Sequence, residues 1–398
     1  MDTVKQHIKM FIKAILLDWL YPAVYRHSCK RDSIALNKIL FVQGRGSALS
    51  DNFNLVFERI DSYGSWDKRT ILLREYQVSY PRYCLNCIRL VREIATARYV
   101  FLDDASDVIS CLPLKKETKV IQLWHACGAF KKFGMSTADL RFGGTKEQKI
   151  KHPFYNNLSL VSVSSPEVIW AYVEAMVLEN RPEIVRSLGV SRTDIFFDVD
   201  FLKEARKKVD EVSLVTSGKK IILYAPTFRG RVINAKGPDS LDIQALKKAL
   251  GNDYALLVKH HPYVNDPPRI PDDCSDFAFL VDGEELSIEA LLAASDVCIS
   301  DYSSLVFEYS LFVRPMVFFA YDIDDYIDWR GFYYSYEDLT PGPVVATNEE
   351  LLNYLTHIDD LFDAQEVIDF KNRFMSACDG GATDRILQAV LDDRTVIG

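Results

Sequence analysis

The sequence predicts an α/β protein of two domains, each built on a parallel β-sheet. With 398 residues the chain exceeds one ordinary hydrophobic core, so we expect two domains of about 200 residues each. Short apolar segments alternate with helical stretches through both halves, a pattern typical of parallel α/β layering. The charged segment F-L-K-E-A-R-K-K-V-D-E-V predicts a helix that links the halves. We therefore divide the chain into domains 1–200 and 201–398.

The first half contains apolar segments that we interpret as strands. They are S-I-A-L-N-K-I-L-F-V, T-I-L-L-R-E-Y, R-Y-V-F-L-D-D-A, V-I-Q-L-W-H and S-L-V-S-V-S-S-P-E-V. A Gly-rich turn, Q-G-R-G-S-A-L-S-D-N, follows the first of them and departs from the G-x-G-x-x-G pattern. Cys84 and Cys87 form a C-x-x-C, but no second pair or His cluster completes a zinc site. We predict a helix with two buried thiols there.

The second half repeats the alternation of strands and helices. Its predicted strands begin K-K-I-I-L-Y-A-P-T-F-R-G, Y-A-L-L-V-K-H-H-P-Y, D-F-A-F-L-V-D-G, D-V-C-I-S-D-Y-S-S and P-M-V-F-F-A-Y-D. Each apolar run ends in polar residues, Gly or Pro. Because open α/β sheets bind ligands at the carboxyl ends of their strands, two such domains facing each other would enclose a ligand cleft.

The composition narrows the class of protein. A 48% hydrophobic and 26% charged content is that of a soluble globular protein. The net charge of -9 argues against general nucleic-acid binding. No signal peptide and no apolar span of about 18 residues is visible. Scattered cysteines then indicate a reducing, cytoplasmic compartment.

The first forty residues differ from the rest. M-D-T-V-K-Q-H-I-K-M-F-I-K-A-I-L-L-D-W-L-Y-P spaces apolar residues at helical intervals, with Lys5, Lys9 and Lys13 four residues apart. Seven Lys/Arg stand against three Asp up to Leu40. This pattern fits an amphipathic helix on an anionic membrane, or equally a helix packed on the first domain.

The segment I-S-D-Y-S-S-L-V-F-E-Y is a candidate phosphate site. Asp301 ends a strand, and Ser303 and Ser304 begin a helix whose free N–H groups and hydroxyls suit a phosphate. Glu308 could accept ribose hydroxyls. The alternative is that Ser303 only caps the helix.

Two further strand ends carry cationic or hydrogen-bonding residues. K-H-H-P places Lys259 and His261 where they could stabilise a leaving nucleotide. His260 points to the opposite face of the strand, where we expect a structural residue. A-P-T-F-R-G places Thr227 and Arg229 where a guanidinium could fork onto phosphate oxygens, or lie on a surface loop. Y-D-I-D-D-Y resembles a metal-binding D-x-D, but chance or a solvated loop explains three residues better.

The stretch V-I-Q-L-W-H-A-C-G-A-F-K-K-F-G ends a predicted strand at His125. This histidine is a candidate general base, against the alternative of a satisfied core histidine. The small residues that follow would leave room for an acceptor hydroxyl. From Lys115 to Lys151 there are nine Lys/Arg and three acidic residues. A solvated helical face explains some of these charges, but the asymmetry favours an anionic acceptor or lipid head group, contacted by Lys131 and Lys132.

Taken together, the motifs of residues 120–345 resemble the bacterial CDP-glycerol:poly(glycerophosphate) glycerophosphotransferase family of teichoic acid and capsule synthesis. The stretches are Q-L-W-H-A-C-G-A-F-K-K-F-G, S-L-G-V-S-R-T-D, I-L-Y-A-P-T-F-R-G, K-H-H-P, S-D-Y-S-S-L-V-F-E-Y and P-M-V-F-F-A-Y-D-I-D-D-Y…R-G-F-Y…P-G-P-V-V. Many members have W-H-G-T-P where this chain has W-H-A-C-G. In this departure the chain resembles the shorter, primase-like members of the family more than the long polymerases.

The resemblance implies a GT-B fold: two Rossmann-like domains facing a central cleft, the acceptor bound by the first and the donor by the second. It implies that His125 is the base and that His261, Ser303 and Ser304 meet the donor pyrophosphate. We also expect three further residues, Asp103, Ser165 and Arg192, to bind the acceptor.

The expected reaction moves glycerol phosphate, or a related polyol phosphate, from CDP-glycerol or another CDP-polyol to a hydroxyl of a lipid-linked saccharide or polyol-phosphate acceptor. CMP is released, and we expect neither a cofactor nor a metal. The expected location is the cytoplasmic face of the membrane, with peripheral attachment to an anionic surface. The alternative is a GT-B glycosyltransferase or nucleotide-sugar epimerase that uses a UDP-sugar.

Overall fold

A computed structural model describes residues 10–44, 46, 48–74, 78–140, 144–230, 234–282, 285–324, 326 and 331–392. The chain divides into two compact units. The first contains the described residues of Met1–His125, Phe133–Asp194 and Ala377–Gly398, and the second those of Ala126–Lys132 and Ile195–Ser376. The assignment of acceptor binding to residues 1–200 and donor binding to residues 201–398 stays a prediction.

The first unit is built on a six-stranded parallel sheet. Its strands are β1 (Ala35–Gln43), β2 (Asp67–Leu72), β3 (Ala97–Leu102), β4 (Lys119–Gln122), β5 (Leu160–Ser162) and β6 (Val185–Arg186). They are ordered β2-β1-β3-β4-β5-β6, and every neighbouring pair is parallel. The strands predicted for this half are confirmed. β6 was not predicted, because a two-residue strand is too short to show a periodic pattern.

The second unit contains the other parallel sheet. Its strands are β7 (Lys220–Tyr224), β8 (Tyr254–Val258), β9 (Ala278–Leu280), β10 (Val297–Ser300), β11 (Met316–Phe319) and β12 (Val344–Val345). They are ordered β12-β11-β10-β7-β8-β9 and again pair in parallel. The apolar runs predicted the first five of these strands. β7, β8, β10 and β11 are almost entirely buried, as is typical of parallel strands that are covered on both faces, whereas β9 is fully buried only at Ala278. The two-residue β12 was again not predicted.

Helices follow most strands. The first helical segment is described from residue 10 onward and contains a π-helical turn, Leu16–Leu20, whereas Lys5 and Lys9 of the predicted amphipathic helix lie outside the described residues. The α-helices with defined bounds are α1 (Tyr21–Arg31), α2 (Asp51–Arg59), α3 (Tyr80–Ile94), α4 (Asp107–Ser110), α5 (Lys146–Lys151), α6 (Ile169–Met176), α7 (Val199–Val212), α8 (Ile243–Leu250), α9 (Ile288–Ala294), α10 (Leu305–Tyr309), α11 (Asn348–Thr356), α12 (Ile358–Leu361), α13 (Ala364–Phe374) and α14 (Ala382–Leu391). The 3-10 turns are Ile60–Tyr63, Gly134–Thr137, Pro166–Val168, Pro182–Ile184, Ser191–Phe197, Leu214–Thr216, Asp272–Cys274, Ser310–Phe312 and Glu337–Leu339.

Two predicted helices show why these residues adopt this structure. Helix α3 buries Cys87, Leu90, Val91 and Ile94, which lie three or four residues apart on one face. The predicted helix with the C-x-x-C is therefore confirmed, although Cys84 is only half-buried. Helix α7 is the predicted charged helix, and Asp198 caps it by accepting from two backbone N–H groups.

Each sheet has its own hydrophobic core. The first core is completed by the last helix, α14, whose N-terminus is capped by the Asp194 carboxylate at 3.0 Å from Ala382 N and 2.7 Å from Thr383 N. Its apolar members include Ile39, Phe41, Phe53, Tyr99, Ile121, Ile386, Leu387 and Val390. The second core includes Ile222, Tyr224, Leu256, Ile299, Val317, Phe319, Leu351 and Tyr354.

The strand orders fix where a ligand would bind in each unit. In the first sheet the chain leaves β1 for β2 on one side and then crosses to β3 on the other. In the second sheet it passes from β7 through β8 to β9 and then crosses to β10. Such reversals open a crevice beyond the carboxyl ends of the two central strands, where open α/β sheets bind ligands.

Candidate active site

The acceptor-side candidates of the first unit lie beyond the ends of neighbouring strands. Asp103 follows β3, His125 follows β4, Ser165 follows β5 and Arg192 follows β6. Because these strands are adjacent and parallel, their carboxyl ends share one edge of the sheet.

His125 is oriented by the chain around it. Its Nδ1 lies 2.7 Å from the backbone oxygen of Asp103. A carbonyl oxygen can only accept, so Nδ1 carries the proton and Nε2 is left as the acceptor. The imidazole is exposed and stacks on Trp124 at a ring distance of 4.4 Å. The geometry is that of a base with its tautomer fixed by a second group.

The turn that presents His125 uses an unusual backbone. Trp124 has a φ of 61°, a left-handed conformation that is rare for a bulky residue. Its N–H donates to the Gln122 side chain at 3.0 Å, and the Gln122 amide donates to the Asp104 carbonyl at 3.0 Å. These bonds hold the abrupt end of β4. Gln122 was not predicted as a supporting residue, because in the sequence it is only one position of an apolar strand.

The other acceptor-side candidates differ in accessibility. The Asp103 carboxylate is buried and accepts from the Asn52 amide at 3.3 Å, and burial raises the pKa of Asp103 despite that bond. Ser165 is 0% exposed, and its hydroxyl oxygen is buried without a hydrogen-bond partner. Arg192 is half-buried. In this structure His125 is therefore the most exposed member of the set, and the roles of all four residues stay predictions.

Three donor-side candidates of the second unit, Thr227, Arg229 and Asp301, meet at the reversal between β7 and β10. Asp301, 1% exposed, follows β10 and accepts from Thr227 N at 2.8 Å and from Thr227 Oγ1 at 2.7 Å. It also accepts from Tyr302 N at 2.6 Å and from Arg229 Nη1 at 2.9 Å. One buried carboxylate thus ties the two strand ends together. In this structure the Asp301 carboxylate thus holds Thr227, Arg229 and Tyr302 in place.

Arg229 is paired with two carboxylates. Its Nε lies 2.5 Å and its Nη2 2.9 Å from the two oxygens of Asp322, and Nη1 also donates to the Thr227 carbonyl at 2.6 Å. Burial lowers the pKa of Arg229, but the bonds and charges of Asp322 and Asp301 outweigh it and raise the pKa overall. The Arg229 guanidinium, which was predicted to bind phosphate oxygens, binds the Asp322 carboxylate in this structure.

The K-H-H-P residues follow β8. His260 is 8% exposed, as expected for a structural residue, while His261 is half-buried against Phe228 and Tyr263. Burial, followed by the charge of Lys131, lowers the pKa of His261 to about 4. Its Nδ1 accepts from Tyr263 N at 3.1 Å, so the proton resides on Nε2. His261 is thus a neutral hydrogen-bond donor near pH 7. Burial also lowers the pKa of Lys259.

The serine pair begins a shorter helix than the sequence suggested. Helix α10 has five residues before it tightens into the 3-10 turn Ser310–Phe312, so its dipole is small. Ser303 Oγ accepts weakly from Leu305 N at 3.4 Å, and Ser304 is the N-cap but makes no side-chain capping bond. Both serines are half-buried, whereas Glu308 is 5% exposed.

The W-H-A-C-G-A-F-K-K loop, Ala126–Lys132, belongs to the second unit. Gly128 has a φ of 61°, and a Cβ there would lie 2.3 Å from the Phe307 ring. Packing therefore requires a small residue at Gly128, and the expectation that the loop leaves room for an acceptor stays a prediction. Lys131 pairs with Phe332 in a β-bridge, and its Nζ lies 5.1 Å from the centre of the Tyr326 ring.

The structure therefore groups Lys131 with the donor-side residues, because its charge also acts on His261. Lys132 lies in the same loop, and its N–H donates to the Gly331 carbonyl at 3.1 Å. Among the described residues, no group of three or more His, Cys, Asp or Glu could hold a metal ion. Independence from metals and cofactors stays a prediction.

Comparisons with known proteins agree with the motifs. A family model described as CDP-glycerol:poly(glycerophosphate) glycerophosphotransferase matches residues 23–392. The chain is 33% identical to the teichoic acid ribitol-phosphate primase of Bacillus spizizenii over 355 residues, 88% of this chain and 90% of that protein. It is 34% identical to the teichoic acid poly(ribitol-phosphate) polymerase of that organism, over 90% of this chain but 56% of that protein.

A solved structure supports the fold. The wall teichoic acid polymerase TagF aligns over 99% of both chains with a TM-score of 0.76 and 23% identity. This likeness confirms the predicted α/β fold of the GT-B type, with two Rossmann-like sheets. The extent of the family match and the identity to the primase show that the chain belongs to the CDP-glycerol:poly(glycerophosphate) glycerophosphotransferase family.

Proposed function

We propose that this chain transfers a polyol phosphate from a CDP-activated polyol to an acceptor hydroxyl in teichoic acid or capsule synthesis, and that it releases CMP. Family membership supports the reaction class. The observation that carries the mechanism is the His125 tautomer, because the Asp103 carbonyl leaves Nε2 as a proton acceptor on an exposed imidazole.

In the proposed reaction, His125 Nε2 takes the proton of the acceptor hydroxyl. The hydroxyl oxygen attacks the phosphorus that bears the polyol, and the bond from that phosphorus to the CMP oxygen breaks. Negative charge develops on the departing phosphate, where the Nε2–H of His261 and the ammonium of Lys259 stabilise it. The serine pair contributes hydroxyl and backbone N–H donors. No step in this mechanism requires a metal ion.

The donor's polyol is the finer part of the proposal. The family description names CDP-glycerol, whereas the two relatives described above are named for ribitol phosphate. Both donors share the cytidine diphosphate group and would release CMP. Their products differ in mass, so one assay distinguishes them. Purified protein is incubated with CDP-glycerol, CDP-ribitol or a UDP-sugar, together with a lipid-linked saccharide acceptor, and nucleotide release and product mass are measured with and without EDTA.

We expect CMP release and a product heavier by one or more polyol phosphates with at least one CDP-polyol, at the same rate in EDTA. Release of UDP from the sugar nucleotide, with no CMP from either CDP-polyol, would contradict the proposed function. Loss of CMP release in EDTA would contradict its metal-independent mechanism.

We also propose peripheral attachment to an anionic membrane through the first helical segment. Leu17, Tyr21 and Tyr25 are buried, and Lys13 Nζ lies 2.7 Å from an Asp107 carboxylate oxygen, so one face packs on the first unit. The other face exposes apolar side chains: Met10, Phe11, Ile12, Ile15, Trp19 and Leu20. No helix among the described residues is long and apolar enough to cross a membrane.

The attachment is tested by co-sedimentation with phosphatidylglycerol vesicles. Substituting Phe11 and Trp19, which are 67% and 75% exposed, by serine should weaken binding by at least about tenfold, because each aromatic ring contributes about 2 kcal/mol when it leaves water. The control is Leu214→Ser, which removes an 81% exposed apolar side chain elsewhere. Equal sedimentation of both variants and the wild type would contradict the attachment.

A further inference from the structure

The acidic segment after β11, Y-D-I-D-D-Y, contains two described carboxylates with different surroundings. Both oxygens of Asp322 are bonded to Arg229, at 2.5 Å from Nε and 2.9 Å from Nη2. Asp324 is exposed to solvent. A bidentate pair of this kind is geometrically specific and stronger than a bond between neutral groups. The first aspartate of the D-x-D pattern is therefore an anchor for Arg229.

The hydrogen bonds of Asp322 and Arg229 connect residues that follow three strands, β7, β10 and β11. The Tyr302 hydroxyl donates to Asp322 Oδ1 at 2.9 Å, and Tyr302 directly follows Asp301 at the end of β10. Arg229 bonds Asp301 on one side and the carbonyl of Thr227, beyond β7, on the other. Asp322 itself follows β11. One guanidinium and three side chains thus fix the turns that contain the donor-side candidates.

The charges at this cluster explain what the arginine does. One guanidinium lies between the carboxylates of Asp301 and Asp322, so its charge is already compensated. A metal ion bound by Asp322 would displace the bidentate bonds and leave the half-buried guanidinium with fewer partners. The geometry accordingly favours a rigid support for the site over a metal ligand or a direct phosphate fork.

We propose that Asp322 is a positioning residue of the donor site: through Arg229 and Tyr302 it holds the Thr227 turn and the turn of Ser303 and Ser304 in the conformation that binds the cytidine diphosphate group. This inference rests on the proposed function. It assigns a role to a residue that the sequence analysis attributed to chance or a solvated loop.

The consequence is selective for the donor. Without the Asp322 carboxylate, Arg229 keeps only its bonds to Asp301 and Thr227, and the Tyr302 hydroxyl loses its acceptor. The two turns can then shift, so the donor loses contacts that it makes both in the ground state and in the transition state, and its KM rises. A misplacement of about 1 Å costs on the order of 10²-fold in kcat/KM. His125 and its supporting bonds lie in the first unit and are unaffected.

The experiment compares Asp322→Asn with Asp324→Asn as the matched control. Steady-state kinetics of CMP release give KM for the CDP-polyol and for the acceptor separately, in Mg²⁺ and in EDTA. We expect kcat/KM for the donor to fall about 10²-fold in Asp322→Asn, mainly through donor KM, with acceptor KM unchanged. Asp324→Asn should stay within about twofold of the wild type.

Three results would overturn the proposal: unchanged donor KM in Asp322→Asn, equal losses in both aspartate variants with a dependence on Mg²⁺, or an equal rise in the two KM values. If Asp322→Asn does not fold, Tyr302→Phe removes only the hydroxyl, and it must raise donor KM while acceptor KM stays the same. If the wild type releases no CMP from any CDP-polyol, the proposed function fails. CDP binding by calorimetry, weaker in Asp322→Asn than in Asp324→Asn, still tests the positioning role.

Discussion

Two histidines of this chain have opposite hydrogen-bonding roles, although both follow a strand end. The Nδ1 of His125 faces a carbonyl oxygen, so the proton is on Nδ1 and Nε2 is a base. The Nδ1 of His261 faces a backbone N–H, so the proton is on Nε2, which can donate to a phosphate oxygen. The backbone group that faces Nδ1 therefore decides whether the Nε2 of each imidazole accepts or donates a hydrogen bond.

The low pKa of His261 predicts a pH dependence of stability. Burial and the charge of Lys131 hold it at about 4, against 6.5 for the unperturbed group. Between these values the unfolded chain binds a proton that the folded protein does not. The free energy of unfolding therefore falls as the pH falls from 6.5 to about 4, by up to about 3 kcal/mol from this residue.

Urea unfolding of the wild type and of His261→Gln at pH 7 and pH 5 measures this contribution. Other titrating groups are common to both proteins, so the difference between them isolates His261. We expect the wild type to lose more stability than the variant between the two pH values. Equal losses would show that His261 does not titrate as the structure indicates.

At the scale of elements, the strands and their ends were predictable and the lateral pairings were not. Apolar runs predicted ten strands and placed Thr227, His261 and Asp301 directly beyond three of them. The runs contain no information on strand order. The contact between Asp301 and Thr227 depends on β10 lying beside β7, which only the fold reveals.

The loop Ala126–Lys132 shows the same limit. Its small residues and lysines suggested an acceptor site, because they follow His125 in the sequence and lie in a basic stretch. In the fold, Gly128 is required by its contact with the Phe307 ring, and Lys131 lies with Tyr326 and Phe332 of the second unit. Arg229 likewise read as a free cation, since its partner Asp322 is far away in sequence.

At the scale of the whole molecule, the proposed base and the donor-side candidates belong to different compact units. His125 and its support from Asp103 lie in the first, whereas Thr227, His261 and Asp301 lie in the second. Donor binding should therefore be separable from proton transfer by substitution. The hydrogen bonds described above for Thr227, His261 and Asp301 do not involve His125.

The most direct test of the account is a comparison of His125→Asn with the wild type, in which CMP release and calorimetric binding of the CDP-polyol are measured on the same preparations. Asparagine keeps a donor for the Asp103 carbonyl but supplies no base. We predict that transfer falls by about 10²–10⁴-fold while the dissociation constant of the donor changes by less than about threefold. Transfer at the wild-type rate would contradict the assignment of His125 as the base.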